Sequence, residues 1–239
     1  MKSQYVLPIT IVVAGVLIAG AVFLVGKSGT APKPNTNPDG SLTARAYTPG
    51  VDHILGNPNA KVKVVEYADL ECPYCKTFNT TMHQVMDYYG ASGDVAWVYR
   101  PFPLTSIHSK APTEAQAAEC AADQGGDAAF FKYNDAVYEV TPGSNGLDLA
   151  ELPKIAGQLG LNVATFNSCL SSGKYASKVQ DSYNEAISLG GQGTPFTLIM
   201  VGTQAVALNG AQPYDSMRAA IDAVLGDTTI GATASTSTQ

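Results

Sequence analysis

Hydrophobic and polar positions divide the chain into an apolar N-terminal stretch, a polar spacer, a patterned body and a polar tail. No charged residue interrupts positions 3–26. About 20 apolar residues, each rising ~1.5 Å along a helix, are enough to cross a hydrocarbon core of ~30 Å. Residues 1–27 are therefore predicted to form a transmembrane anchor. The alternative is a cleaved signal peptide, whose apolar core usually runs only about 7–15 residues.

Two segments lack any hydrophobic period. Residues 28–50 are rich in Pro, Asn, Gly, Thr and Ser, which is typical of a flexible tether. Residues 227–239 are a low-complexity run of Gly, Ala, Thr and Ser, and we expect this tail to be disordered. The folded domain is accordingly predicted over residues 51–226.

The body begins with a strand, a helix and a second strand. Residues 62–67 mix alternation with β-branched side chains, as a central strand does, and residues 95–99 repeat that pattern. Between them, apolar positions at helical spacing continue to about residue 89. A strand–helix–strand order predicts a parallel pair of strands with a right-handed crossover.

The pattern then changes to helices before strands return. Apolar, Ala-rich segments separated by Gly and Pro predict a helical block over about residues 105–189. Strand character returns at residues 196–201 and 204–208, with a hairpin turn between them, and a last helix is predicted over 214–225. The body is therefore predicted to be one α/β domain with a helical insertion.

Charge and cysteine content narrow the class of protein. The formal net charge is −6 and no long run of one sign occurs, so the basic surface of a nucleic-acid binder is missing. Four cysteines, an even number, follow a predicted export segment. We expect the domain to lie outside the cytoplasm, held at the cell membrane by a single span.

The candidate chemistry lies in Cys72-Pro73-Tyr74-Cys75, at the junction between the first strand and its helix. Unsatisfied backbone N–H groups and the helix dipole favour a thiolate at this end. Pro73 suits the first helical turn because its missing N–H costs nothing there. We expect Cys72 to exchange with substrates and Cys75 to resolve the mixed disulfide. Tyr74 is expected to modulate thiolate stability and substrate contact.

The alternative for this pair is half of a structural zinc site. Zinc needs four ligands, usually as two closely spaced pairs. The other cysteines and the three histidines show no such spacing; these are Cys120, Cys169, His53, His83 and His108. A redox role is therefore favoured, and neither a metal nor an organic cofactor is predicted.

The sequence resembles the DsbA-like proteins of the thioredoxin superfamily over about residues 52–225. The resemblance rests on EYADLECPYC at residues 66–75, on RPFPL at 100–104 followed by His108, and on GTPF at 193–196. It extends through residues 115–122 and 166–174 of the helical block. The resemblance implies a thioredoxin-like fold with an inserted helical subdomain.

The resemblance also implies roles for individual residues. Pro195 is expected to follow a cis peptide bond that places Thr194 beside the cysteines, the alternative being an ordinary trans proline at a strand start. Glu66 is expected to be buried near Cys75 and to help move its proton, the alternative being a solvent-facing strand residue.

Four further residues of the body have expected roles. Some relatives carry a second bridge, so a structural disulfide between Cys120 and Cys169 is expected, the alternative being two buried free thiols. Asp69 and Glu71 are expected to be surface loop charges. For His108 we expect a packing or helix-entry role rather than catalysis.

The function implied is an extracytoplasmic thiol–disulfide oxidoreductase that introduces disulfides into exported proteins. Its partners would be unfolded or reduced exported proteins and a quinone-linked membrane reoxidase. One alternative is a reductase or isomerase kept reduced by a membrane electron donor, because direction depends on the redox potential. The other is a non-catalytic binding module with a structural C-x-x-C.

Overall fold

The structure is a computed structural model that describes residues 42–226. The anchor predicted over residues 1–27 and the tail predicted over residues 227–239 lie outside this range. Among residues 42–226, no helix combines the length and the apolar character needed to span a membrane.

The described residues form a mixed α/β domain, and the sequence analysis did not predict the two short strands that precede residue 62. In chain order the elements are β1 (Leu42–Thr43), β2 (His53–Gly56), β3 (Val62–Ala68), α1 (Pro73–Tyr89), β4 (Val95–Pro101), α2 (Ala111–Val140), a short 3-10 turn (Leu149–Glu151), α3 (Leu152–Gln158), α4 (Val163–Ser171), α5 (Ala176–Ser188), β5 (Phe196–Val201), β6 (Gln204–Asn209) and α6 (Tyr214–Gly226). The thioredoxin-like fold with a helical insertion, implied by the resemblance, is confirmed.

The strands form one six-stranded sheet in the order β1-β6-β5-β3-β4-β2. Strands β3 and β4 pair in parallel through the α1 crossover, and the other pairs are antiparallel. Strand β1 differs from expectation, because Leu42 and Thr43 pair with β6 although the tether was predicted to extend to residue 50. A two-residue strand is too short to leave a period-2 pattern in the sequence.

The two faces of the sheet pack against different helices. Val64, Trp97 and Ile199 contact the larger apolar cluster, which includes side chains of α1, α2 and α6. Val65 and Leu198 face the other way, into a smaller cluster closed by α5. Strand β3 is therefore buried on both faces. This packing holds the C-terminal end of β3 in place, and α1 begins shortly after it.

The helical insertion is held by a kinked helix and a disulfide. Gly125 and Gly126 are non-helical within α2, and Gly126 has φ +62°, so the helix is kinked at these glycines. Cys120 on α2 and Cys169 on α4 are disulfide-bonded, with their Cα atoms 5.8 Å apart. This is the bridge that the resemblance implied.

Candidate active site

The C-x-x-C motif occupies the first turn of α1. Cys72 is the N-cap residue, with φ −82° and ψ 120°, and Pro73 follows at the first helical position. Cys72 and Cys75 are both free thiols in this structure, and both are buried. Pro73 and Tyr74 between them are exposed, and Tyr74 keeps 69% of its surface. The two middle residues of the motif, Pro73 and Tyr74, therefore face solvent, and Cys72 lies just beneath them.

The environment of Cys72 favours its thiolate. The pKa of Cys72 is lowered to about 6, chiefly by the hydrogen bond from the Cys75 thiol. Thr194 and the backbone N–H groups of Tyr74 and Cys75 lower this pKa further, against the effect of burial. In its thiol form, Cys72 Sγ donates to the carbonyl oxygen of Thr194 at 3.4 Å. At pH 7 a thiol with this pKa is mostly ionised.

Cys75 has the opposite preference. Burial raises its pKa well above the ordinary value, and the hydrogen bond to Cys72 raises it further. The backbone N–H of Asp69 donates to Cys75 Sγ at 3.5 Å. The pair therefore consists of one sulfur that ionises near neutral pH and one that holds its proton.

Glu66 lies on β3, wholly buried behind the cysteines. Neither of its carboxyl oxygens has a hydrogen-bond partner, and the same is true of the indole nitrogen of Trp97. Burial raises the pKa of Glu66 to about 8; the Trp97 indole lowers this pKa and the charge of Cys72 raises it. A carboxyl group with this pKa exchanges protons near neutral pH. The solvent-facing alternative for Glu66 is wrong.

The Thr194–Pro195 peptide bond is cis. It brings the carbonyl oxygen of Thr194 against Cys72, at the distance given above. Thr194 also lines a cleft of about 430 Å³, together with Gly190, Gln192, Gly193, Asn209 and Gly210. The cleft therefore opens beside the residue whose carbonyl oxygen contacts Cys72.

Asp69 and Glu71 are buried, so the expectation of surface charges was wrong. The carboxylate of Asp69 accepts hydrogen bonds from the backbone N–H groups of Glu71 and Leu104 at 2.8 Å and pairs with His108 Nδ1 at 2.9 Å. Glu71 accepts from the backbone N–H of Gly146 at 3.2 Å. The loop after β3 is covered by the helical insertion, which supplies His108 and the backbone N–H of Gly146. His108 is thus a buried packing residue that also positions Asp69.

Glu114 on α2 was not singled out from the sequence. It is buried, and neither of its carboxyl oxygens has a hydrogen-bond partner. Burial, followed by the influence of the Glu71 carboxyl group, raises the pKa of Glu114 to about 9, so Glu114 is protonated at neutral pH. A lone Glu in an Ala-rich helix gives no sequence signal of this environment, because Glu71 lies 43 residues earlier in the chain.

The zinc alternative finds no partner ligands within residues 42–226. No cluster of three or more His, Cys, Asp or Glu side chains in this range is placed to hold a metal ion. Cys120 and Cys169 are bonded to each other, so they cannot complete a site with Cys72 and Cys75.

Comparison with known proteins agrees with this geometry. A protein-family model described as Thioredoxin matches residues 48–223. The crystal structure of Pseudomonas aeruginosa DsbA2 superposes with a TM-score of 0.64 at 28% identity, covering 76% of this chain and 99% of that one. Bacillus subtilis BdbD in its oxidised form gives 0.67 at 21% identity, covering 78% and 99%, and shows the shared fold alone.

Two curated relatives are named as transporters. They are the Na(+)/H(+) antiporters NhaA 3 of Salinispora tropica, 34% identical over 62% of this chain, and NhaA 1 of Mycolicibacterium gilvum, 29% identical over 69%. The matches cover only 21% and 26% of those proteins, so their name describes much longer chains. The chain itself belongs to the thioredoxin family, with the fold of the DsbA-type thiol–disulfide oxidoreductases.

Proposed function

We propose that the chain is an extracytoplasmic thiol–disulfide oxidase that introduces disulfides into exported proteins through Cys72 and Cys75. The observation that carries the proposal is the asymmetry of the pair, since Cys72 has a pKa of about 6 and that of Cys75 is raised well above its ordinary value. The sulfur that substrate attacks must later leave as a stable thiolate. The low pKa of Cys72 makes its thiolate stable.

The reaction balances through the two cysteines and Glu66. A substrate thiolate attacks Sγ of Cys72 in the Cys72–Cys75 disulfide, and Sγ of Cys75 leaves with the bonding electrons and takes a proton from Glu66. A second substrate thiolate then attacks the substrate sulfur of the mixed disulfide, and Cys72 leaves as a thiolate. The substrate gains one disulfide and the enzyme is reduced by two electrons. A quinone-linked membrane reoxidase is the partner we propose for returning the pair to the disulfide.

Two observations support a location outside the cytoplasm. The Cys120–Cys169 disulfide belongs to an oxidising compartment, because disulfides are rare where glutathione and thioredoxin keep thiols reduced. The uncharged stretch over residues 3–26 is long enough for the proposed anchor. The catalytic domain would then face reduced, newly exported proteins.

The redox potential tests the direction of the reaction. A cysteine pKa of about 7 accompanies a potential of about −270 mV, and one of about 3.5 accompanies about −120 mV. The pKa of Cys72, lowered to about 6, lies between these two values, so we expect a potential less negative than −270 mV. Structural disulfides of secreted proteins lie below about −300 mV, so transfer from Cys72–Cys75 to them is then favourable.

The experiment is an equilibrium titration of the purified chain against a glutathione buffer. A Cys72–Cys75 potential towards −120 mV, together with oxidation of a reduced peptide, supports the oxidase. A potential near −270 mV, the thioredoxin value, would instead identify a reductase that draws electrons from a membrane donor. If Cys72→Ser and Cys75→Ser variants both oxidise the peptide at the parent rate, the pair is structural and the oxidoreductase proposal is wrong.

A further inference from the structure

The segment that follows α2 is bonded to the chain on both sides of the C-x-x-C motif. We call residues 141–146 the strap. The backbone N–H of Ser144 donates to the carbonyl oxygen of Glu71 at 2.7 Å, and Lys76 Nζ donates to that of Thr141 at 2.9 Å. Glu71 and Lys76 directly flank residues 72–75. The strap therefore spans the N-terminal turn of α1.

The strap also packs directly on this turn at Gly143. Gly143 is buried and has φ +78°, a backbone conformation that favours glycine. A Cβ atom at this position would lie 3.2 Å from the Glu71 carbonyl oxygen and 3.2 Å from Cγ of Pro73. The strap therefore touches the residues immediately before and after Cys72, and it leaves little room for a side chain between them.

The side chain of Glu71 makes a further contact with the strap. Its Oε2 atom accepts a hydrogen bond from the backbone N–H of Gly146 at 3.2 Å. The backbone N–H of Glu71 donates to the Asp69 carboxylate at 2.8 Å, which fixes the place of the residue in the loop after β3. Glu71 is wholly buried, and burying a carboxyl group is costly. The contact with Gly146 gives this costly residue a role in attaching the strap.

The other side of the strap is anchored away from the motif. Asn145 Nδ2 donates to the Ile107 carbonyl oxygen at 2.7 Å, and Asn145 Oδ1 accepts from the Lys110 backbone N–H and from Ser109 Oγ, both at 3.3 Å. Ser144 and Asn145 have φ +54° and +66°, values that are uncommon for residues other than glycine. Such conformations persist where the surroundings over-determine them. The strap is thus held in one conformation from both sides.

The contacts of the strap bear on Cys72 through the geometry of the helix start. After the hydrogen bond from the Cys75 thiol, the groups that lower the pKa of Cys72 are Thr194 and the backbone N–H groups of Cys75 and Tyr74. Hydrogen bonds weaken steeply when donor and acceptor are misaligned. Because the strap contacts both neighbours of Cys72, it holds the sulfur in line with these groups.

We propose that the strap is a positioning element for Cys72, which acts through Glu71 and Gly143 to keep the Cys72 sulfur aligned with the N-terminus of α1. This inference rests on the proposed function, since a stable Cys72 thiolate is what releases the substrate. The helical insertion supplies the strap, so it acts on the reactive sulfur through the two residues that flank Cys72.

Charge alone predicts the opposite effect for Glu71. The titratable groups that act on Cys72 or on the surroundings of Glu71 are Glu66, Asp69, Cys75, Lys110 and Glu114. A negative charge near a thiol disfavours its thiolate. Removal of the Glu71 acid would therefore lower the pKa of Cys72 if only charge mattered, whereas loss of positioning raises that pKa. The direction of the change separates the two explanations.

The first test compares two glycine substitutions in the reduced full-length chain. Gly143→Ala places a methyl group against Glu71 and Pro73, whereas Gly160→Ala, the matched control, places one at the same φ of +78° with no atom within 4 Å. The pH dependence of alkylation reports the pKa of Cys72, which is about 6 in the parent. Cysteines at helix N-termini titrate at about 3.5–7.5, against about 8.5 for a free cysteine, so Gly143→Ala should raise this pKa by about one unit or more. Alkylation at pH 5 should then be roughly tenfold slower, and Gly160→Ala should titrate as the parent does.

Two substitutions of Glu71 give an independent test. Both Glu71→Ala and Glu71→Gln remove the acid, but the amide oxygen of Gln can still accept from Gly146. We expect Glu71→Ala to raise the pKa of Cys72, and Glu71→Gln to leave it at or below the parent value. Equal Cys72 pKa values in the two variants would overturn the proposal, because the hydrogen bond to the strap would then make no difference.

The outcomes also distinguish the strap from the proposed function. A parent-like Cys72 pKa in Gly143→Ala refutes the strap even though the parent exchanges thiols with glutathione. A parent without thiol exchange refutes the proposed function itself. If urea unfolding shows that Gly143→Ala does not fold, the comparison of Glu71→Ala with Glu71→Gln decides alone.

Discussion

The largest cause of the low Cys72 pKa is the hydrogen bond from the Cys75 thiol, and removing that donor gives a quantitative test. Cys75→Ala deletes the donor with little loss of volume. A hydrogen bond to a charged group contributes about 1.5–3 kcal/mol, and one pKa unit corresponds to 1.36 kcal/mol. The pKa of Cys72 should therefore rise by about 1–2 units, from about 6 to about 7–8.

The assay is the pH dependence of Cys72 alkylation, or of thiolate ultraviolet absorbance, in single-cysteine variants. Cys75→Ser is the matched control because its hydroxyl keeps a donor at the same place, so its Cys72 pKa should stay within about half a unit of 6. If Cys75→Ala also titrates near 6, the thiol is not the cause. Thr194 and the backbone N–H groups at the start of α1 would then account for the lowered pKa.

Two further predictions concern stability. The folded-state pKa of Glu66 is raised to about 8, so its contribution to stability is greatest below about pH 4.5 and is lost as pH rises towards 8. Glu66→Gln should remove this dependence, gaining up to about 3 kcal/mol at pH 7 and nothing at pH 4, as measured by urea unfolding; equal gains at both pH values would contradict the argument. Replacing Cys120 and Cys169 by Ala should cost about 4 kcal/mol in the chain-entropy model of a 49-residue loop, and an unchanged urea midpoint would show that the bridge is not stabilising.

The central βαβ unit could be predicted from the sequence because each of its signals is local. Strand β5 agrees with its predicted range, 196–201, and β3 and β4 extend theirs by one and two residues. Period-2 and 3.6-residue patterns persist over these elements, since each has a buried face. Cys72 and Cys75 could be placed at the start of α1 for the same reason.

The surroundings of the cysteines could not be predicted, because they depend on contacts between distant segments. Asp69 and Glu71 look like loop charges until α2 and the segment around residue 146 cover them. Tyr99 was assigned to a strand, but its alignment with His53 and Glu66 exists only once β2 joins the sheet edge. The hydrophobic period and the residue spacing of the sequence do not reveal how β2, β4 and β3 are aligned.

The free-energy cost of burying acidic side chains in this domain is an argument that they have a function. With pKa values of about 8 and 9, Glu66 and Glu114 each cost about 3 kcal/mol at pH 7 relative to an unfolded chain in which they ionise freely. Their sum, about 6 kcal/mol, is comparable with the whole free energy of unfolding of an ordinary domain, about 5–15 kcal/mol. The Cys120–Cys169 bridge offsets about two thirds of that cost. A domain that needed only to fold would do better with apolar residues at both places. For Glu66, whose charge acts on the Cys75 thiol, the cost is explained by the proton exchange with Cys75 that we propose.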